Sequence, residues 1–312
     1  MIGVGSARRA ILDFARLGRP EFLVGGFVMH GLGIAMARYV GAPLDLRVAL
    51  WGQLAITTTQ LMTHYCNEYF DLAADQANPT PTRWAGGSRI LVEGRVAPRV
   101  ALASALVLGA ISFAIALGVA TLVRPGPLTF VMFVAPLFLA WSYSAPPIAL
   151  HSRGLGEMTT ALLVPGAATL IGFVLQTGRL EPLLLLVVLP LALLQFGMLL
   201  LIEVPDRIGD ELVGKSTLVV RLGPARSARL YLTVLAMAYG LLLPAATSGV
   251  PPLVIAANAL GLPIAAWLGW QMTRDAWADP CRWNLLSFAG IALLVGTAAA
   301  DLIAFTLTPP LQ

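Results

Sequence analysis

Charge is scarce in this sequence. Asp, Glu, Lys and Arg make up only 12% of the 312 residues, against about 25% in an ordinary soluble domain. Lysine is nearly absent, with Lys215 standing alone among arginines. The two cysteines, Cys66 and Cys281, exclude a disulfide framework and a cysteine metal cluster. His30, His64 and His151 are too widely spaced for a zinc site. No Ser-His-Asp or Cys-His nucleophile set presents itself, so acyl transfer is unsupported. The arginines form no basic stripe interleaved with aromatics, which argues against a nucleic-acid partner. Residues 1–20 carry Arg8, Arg9 and Arg16 and no apolar run closed by a small-residue cleavage site. They read as a cytoplasmic amphipathic segment rather than a cleaved signal.

What the chain has is apolar length. Hydrophobic residues are 58% of it and the mean hydropathy is +0.81. A helix needs about 20 apolar residues to cross a bilayer. Nine stretches qualify: 22–40, 46–66, 98–121, 126–143, 155–177, 181–203, 225–246, 251–273 and 284–307. The expected fold is therefore all-α, a polytopic membrane protein with nine transmembrane helices in a single domain over 1–312. Of the Lys and Arg residues, only Arg38, Arg47, Arg124 and Arg179 fall in loops on one side of these stretches. All the others fall on the opposite side. The positive-inside rule then places the N-terminus and the basic loops in the cytoplasm of a multi-pass cell-membrane protein.

The acids are not scattered. Glu68, Asp71, Asp75 and Glu93 follow the second stretch, and Glu203, Asp206, Asp210 and Glu211 follow the sixth, with Glu157 between. An Asp at mid-bilayer costs about 2.5–3.5 kcal/mol. These acids must face a wet cavity or the interface, and such groups are functional by default. Asn67, Asp71 and Asp75 recur every four residues, so on a helix they share one face. Asp206 and Asp210 repeat that spacing. Like charges at this spacing repel, unless a cation lies between them. Carboxylate oxygens so placed suit Mg²⁺, which keeps several waters and bridges to substrate phosphates. Asp301 lies inside the ninth stretch, where a lone acid is expected to line a cavity or pair with a buried arginine.

Two segments near the acids suit a phosphate. Ala85-Gly86-Gly87-Ser88-Arg89 and Gly214-Lys215-Ser216-Thr217 offer close backbone approach, and Arg89 and Lys215 offer positive charge. The second is no Walker A loop, because the leading glycine and the preceding strand are both missing. Four aspartates and a diphosphate carry roughly −7, and two Mg²⁺ return about +4, leaving work for nearby cations.

These residues resemble the UbiA superfamily of membrane prenyltransferases. Asn67-Glu68-Tyr69-Phe70-Asp71-Leu72-Ala73-Ala74-Asp75 matches its first motif and Asp206 to Asp210 its second. The stretches Gly86–Gly94, Tyr143–Pro147, Arg153–Glu157 and Gly214–Gly223 are most similar to the 1,4-dihydroxy-2-naphthoate prenyltransferases of the MenA type. Glu68 stands where Asp is commoner, and Glu203 where Asn is. The resemblance implies nine helices around a central cavity, with diphosphate bound at the cytoplasmic mouth and a side opening for the tail. It also implies Mg²⁺ dependence, with Asp71 and Asp75 holding one ion and Asp206 and Asp210 the other. Asn67 adds a ligand or donor, while Lys215 with Arg89 or Arg153 stabilises the leaving group. Tyr69, Tyr143 or Trp141 faces the allylic cation, and Glu68, Glu157 or Glu203 takes the acceptor's proton. The implied activity is transfer of an alkyl group other than methyl, from a prenyl diphosphate to an aromatic acceptor in menaquinone synthesis. Another acceptor such as 4-hydroxybenzoate, terpene cyclisation and, distantly, transport are the alternatives.

Overall fold

A computed structural model describes residues 4–311, and these are helical with no strand among them. Residues 1–3 of the expected N-terminal segment lie outside the described residues. The remainder of that segment is the helix α1 (Val4–Leu17), which exposes Ile11 and Leu12. It is held to the body where the Tyr65 hydroxyl donates to the Phe14 carbonyl at 2.9 Å. Asp13 also pairs with Arg95 at 2.6 Å.

Then come α2 (Leu23–Tyr39), α3 (Leu46–Phe70), the short α4 (Leu72–Ala77), α5 (Pro98–Gly118) and α6 (Pro127–Ser144). The short α7 (Gly156–Ala161) joins α8 (Ala168–Thr177) through a π turn at Leu162–Ala167. Next are α9 (Pro182–Glu203), α10 (Arg207–Leu212), α11 (Leu218–Leu222), α12 (Pro224–Gly240) and α13 (Leu242–Thr247). The chain ends in α14 (Pro252–Ala259), α15 (Leu262–Thr273) and α16 (Pro280–Leu307). Proline opens α5, α6, α9, α12, α14 and α16, where its missing N–H costs nothing and its fixed φ favours the helix. Asp45 and Asp279 cap α3 and α16 by accepting first-turn N–H groups.

Among the described residues, seven helices are long and apolar enough to cross a membrane, and an eighth span results if α14 and α15 count as one, bent by 43°. The expected count of nine differs at α3. That helix is 25 residues long but carries Gln53, Thr57, Thr58, Thr59, Gln60, Thr63, His64 and Asn67, which lower its hydropathy. Much of the outer surface is apolar: Leu106, Leu122, Phe138, Leu185, Leu243 and Ile303 all point outward.

Helices approach closely where side chains are small. A Cβ on Gly33 of α2 would collide with the Thr169 carbonyl of α8, and one on Gly172 of α8 with the His30 carbonyl of α2. Close backbone approach of this kind is how helices gain packing in lipid, where no hydrophobic force drives them together. Asp301 corrects its expectation. It is buried in α16, and its partner is no arginine but the Asn258 amide of α14, which donates to Oδ1 at 2.6 Å. That amide stands next to the bend between α14 and α15, so the pair joins two helices and lies apart from the cavity described next.

Candidate active site

A cavity of about 290 Å³ opens among α2, α3, α6, the α7–α8 span, α9 and α16. Its depth is apolar, lined by residues such as Met29, Phe133, Val164, Leu199 and Leu294, and its mouth is acidic. The acids arrive there by local helical geometry. Beyond Phe70 the helical hydrogen bonds continue, from Asp71 N–H to the Asn67 carbonyl at 2.8 Å and from Asp75 N–H to the Asp71 carbonyl at 2.9 Å. Asn67, Asp71 and Asp75 therefore stay on one face, and all three line the cavity. After α9, the Asp206 N–H bonds the Glu203 carbonyl at 3.1 Å and the Asp210 N–H bonds the Asp206 carbonyl at 3.0 Å.

Packing of α10 on α4 brings the two motifs together. A Cβ on Gly209 would lie 2.7 Å from the Ala74 carbonyl oxygen and 2.9 Å from the Asn78 Cα, so only glycine permits this approach. Gly214, with φ of +77°, then reverses the chain. Lys215 folds back, and its Nζ lies 2.7 Å from Asp71 Oδ1 and 3.3 Å from Asp210 Oδ1. Asp71 and Asp210, one from each motif, share a lysine, and Asp210 stands behind the cavity wall. Asp71, Asp75 and Asp206 line the mouth, and neither Asp75 nor Asp206 pairs with the lysine. The Asn78 amide donates to Asp206 Oδ1 at 2.7 Å, and the Asn67 amide to Asp71 Oδ2 at 2.6 Å.

Other expected site residues have supporting positions. Glu68 faces away from the cavity, accepting from the Ser88 N–H and hydroxyl, both at 2.6 Å. It pins the glycine-rich loop. Arg89, at φ of +63°, donates to the Asp75 carbonyl and does not line the cavity. Arg153 is turned outward and donates to the Pro147 carbonyl at 2.7 Å. Of the three aromatic candidates only Tyr143 lines the cavity, stacked on His151 at 5.1 Å between centroids. Tyr69 and Trp141 pack around Phe70 instead. Glu203 lines the cavity and is buried.

Gly87 illustrates how tightly the loop is fitted. Its φ is +67°, and a Cβ there would overlap Asp75 Oδ2. Gly87→Ala is expected to displace the Asp75 carboxylate and lower kcat/KM about tenfold to hundredfold, as small misplacements do. Steady-state kinetics on monodisperse protein would measure this; an unchanged rate would mean that the position of Asp75 is not critical.

The electrostatics divide the acids. Burial pushes the Asp71 carboxyl up, but Lys215 and His151, with the Asn67 hydrogen bond, outweigh it and hold the group below its usual range. Burial, then repulsion from Asp71 and Glu68, lifts Asp75 to about 7. Burial, then Asp210 and Asp75, lifts Asp206 well above the carboxylate range. Asp210 is also raised, by burial against the pull of Lys215. The Lys215 ammonium is held charged by its two aspartates despite burial. Negative charge on these carboxylates is therefore unfavourable with Lys215 and Arg19 as the nearby cations, and added cations relieve it.

The donor set fits a hard divalent cation brought in with a phosphate. Among the described residues no three carboxylate, imidazole or thiol groups form a metal cage. Mg²⁺ commonly takes only one or two carboxylates and leaves its other positions to water and substrate phosphate. Asp75 and Asp206 would supply these, while Asp71 and Asp210 are engaged by Lys215.

Sequence reasoning missed several lining or contacting groups. Asn78 lies three residues beyond Asp75, a same-face spacing that would have marked it. Gln195 is a lone amide in the apolar run of α9 and lines the cavity; its isolation was the signal. Arg19, read as a topology residue, also lines the mouth, with its guanidinium 4.9 Å from the Phe22 ring centroid.

Comparison with known proteins gives a consistent result. The profile of the UbiA prenyltransferase family matches residues 27–288. A 1,4-dihydroxy-2-naphthoate octaprenyltransferase from Bacillus subtilis is 24% identical over 224 residues, covering 72% of this chain and 70% of that one. The bacteriochlorophyll synthase 33 kDa chain of Cereibacter sphaeroides is 29% identical over 195 residues, 62% of this chain and 59% of that one. A solved UbiA homologue from Archaeoglobus fulgidus, bound to GPP and Mg²⁺, superposes with a TM-score of 0.64 at 17% identity. That superposition covers 95% of this chain and all of that one.

Proposed function

The chain belongs to the UbiA prenyltransferase family, and from that premise we propose that it transfers a prenyl group from a prenyl diphosphate to a hydroxylated aromatic acceptor. The observation that carries this reading is the convergence of Asp71, Asp75 and Asp206 at the mouth of an apolar cavity, with Lys215 bridging Asp71 to Asp210 behind them. The acidic mouth takes the diphosphate with its cations, and the apolar depth takes the tail. We count α3 as a ninth span, its polar face turned to the cavity, and place the N-terminus and the acidic mouth in the cytoplasm.

In this mechanism the residues first position. Asn67 orients Asp71, Asn78 orients Asp206, and the Glu68–Ser88 contact with Arg89 fixes the loop around Asp75. Mg²⁺, when bound, supplies positive charge to the departing diphosphate, the kind of electrostatic stabilisation that dominates such reactions. Lys215 adds a fixed ammonium on the same side. Tyr143 presents its ring to the allylic carbon as the C–O bond breaks, and the apolar wall excludes water from the cation.

For the acceptor, 1,4-dihydroxy-2-naphthoate is our first choice, supported by the Bacillus subtilis relative. The experiment supplies purified protein with Mg²⁺, a labelled prenyl diphosphate and either 1,4-dihydroxy-2-naphthoate, 4-hydroxybenzoate or no acceptor. Prenylated naphthoate as the main product is expected. Adduct with 4-hydroxybenzoate alone would move the acceptor, and cyclised hydrocarbon without any acceptor would replace transfer by cyclisation.

A further inference from the structure

Beside the diphosphate mouth lies a second acidic element that binding of the diphosphate does not explain. Glu157, in the first turn of α7, and Glu203, the last residue of α9, are 1% and 4% exposed. The two helices pack against each other, which sets their carboxyl groups within hydrogen-bonding reach. With both ionised, neither oxygen of Glu203 nor Oε1 of Glu157 has a hydrogen-bond partner. Among the described residues no ion pair reaches either one, because Lys215 is engaged by Asp71 and Asp210. Two buried, adjacent carboxylates without a cation cannot both remain charged, and a single proton between them supplies the missing hydrogen bond.

Place turns this into chemistry. Glu203 lines the cavity next to Tyr143 and His151, whereas Glu157 does not line it. Gly156 leaves room there: a Cβ on it would stand 3.4 Å from Glu203 Oε1 and 3.3 Å from the His151 ring. Glu68, the other acid that sequence reasoning offered as a base, is spent on Ser88.

We propose that Glu157 and Glu203 form a proton-sharing dyad in which Glu203 is the catalytic base that takes a proton from the acceptor's ring hydroxyl. This rests on the prenyl-transfer reading above. The hydroxyl O–H bond breaks and its proton goes to Glu203, while the electron pair conjugates into the ring. The ortho carbon then forms a bond to C1 of the prenyl group as the C1–O bond breaks, and that pair leaves with the diphosphate. With 1,4-dihydroxy-2-naphthoate the attacked carbon then loses its carboxylate as CO2. The pair from that C–C bond restores the aromatic ring and returns charge to the oxygen, and Glu203 gives its proton back to that oxygen. With an acceptor bearing hydrogen at the attacked carbon, that hydrogen leaves as a proton taken by the released diphosphate. Glu157 is a positioning residue: it shares the resting proton and thereby leaves Glu203 one carboxylate charge to receive another.

The test compares wild type with Glu203→Gln and Glu157→Gln, which keep size and fold. Diphosphate release, prenylated acceptor and prenyl alcohol are measured together, beside infrared difference spectra of the carboxyl region without substrate. Glu203→Gln is expected to lower prenylated product about 100-fold, the usual worth of a positioned base. Diphosphate release should persist and be diverted to prenyl alcohol. Glu157→Gln is expected to shift the same partition less. Both variants should lose a protonated-carboxyl band present in wild type. Product and release falling in parallel would reduce Glu203 to a structural role, and an unchanged carboxyl band would exclude the shared proton. A wild type that makes no adduct with any acceptor would defeat prenyl transfer itself, while the infrared arm still judges the dyad.

Discussion

Asp75→Asn and Asp206→Asn are each expected to lower prenyl transfer about 10³-fold while the protein stays folded. Both side chains line the cavity mouth, and both are raised by burial and by neighbouring carboxylates, so their negative charge is costly unless cations arrive with the substrate. Asparagine keeps the shape. At position 206 its amide oxygen still accepts from Asn78, which now donates at 2.7 Å, so the hydrogen bond that joins the two motifs survives. Only the charge is lost. Removal of a single group aimed at developing charge costs about 10²–10³ in rate, and these groups also act through the cations they recruit. Chelation of divalent metal from the wild type should abolish turnover, and adding Mg²⁺ should restore it. Binding of labelled prenyl diphosphate and single-turnover rates, with and without chelator, would measure both effects. Asparagine variants within threefold of wild type would show that the diphosphate is held elsewhere.

Loss of Lys215 is expected to be as severe, for a different reason. Its ammonium is 11% exposed by side chain and bridges Asp71 and Asp210. Lys215→Met fills the space and leaves two buried carboxylates without their cation. Breaking a buried ion pair on one side typically costs 3–5 kcal/mol, so both thermal stability in detergent and activity should fall, activity by about 10³-fold. Lys215→Arg is not expected to rescue, because a planar fork does not replace a compact ammonium between two carboxylates. The double variant Lys215→Met with Asp210→Asn separates the two losses. Removing one of the stranded charges should recover much of the stability, whereas activity stays low because the positive charge beside the diphosphate is still missing. Recovery of activity together with stability would make Lys215 a purely structural bridge.

The division between sequence and tertiary structure follows the range of the forces involved. Membrane insertion depends on apolar length, a property of contiguous residues, so the apolar stretches fall on observed helices from α2 through α16. The four-residue spacing of Asn67, Asp71 and Asp75 likewise fixes a shared face once the segment is helical. Polar content keeps α3 below the hydropathy of the other spans, and the cavity that its glutamine and threonines face is built by other helices. Which carboxylate meets which cation was beyond sequence. Spacing put Asp71 with Asp75 and Asp206 with Asp210 on shared faces, while close packing at Gly209 and the reversal at Gly214 decide that Asp71 and Asp210 also share Lys215. The roles of Glu68 and Arg89 as loop braces, the Asn258 partner of Asp301 and the contact of Glu157 with Glu203 are of the same kind. Each joins residues distant in the chain or separated by a turn, and only the packed helices decide those neighbours.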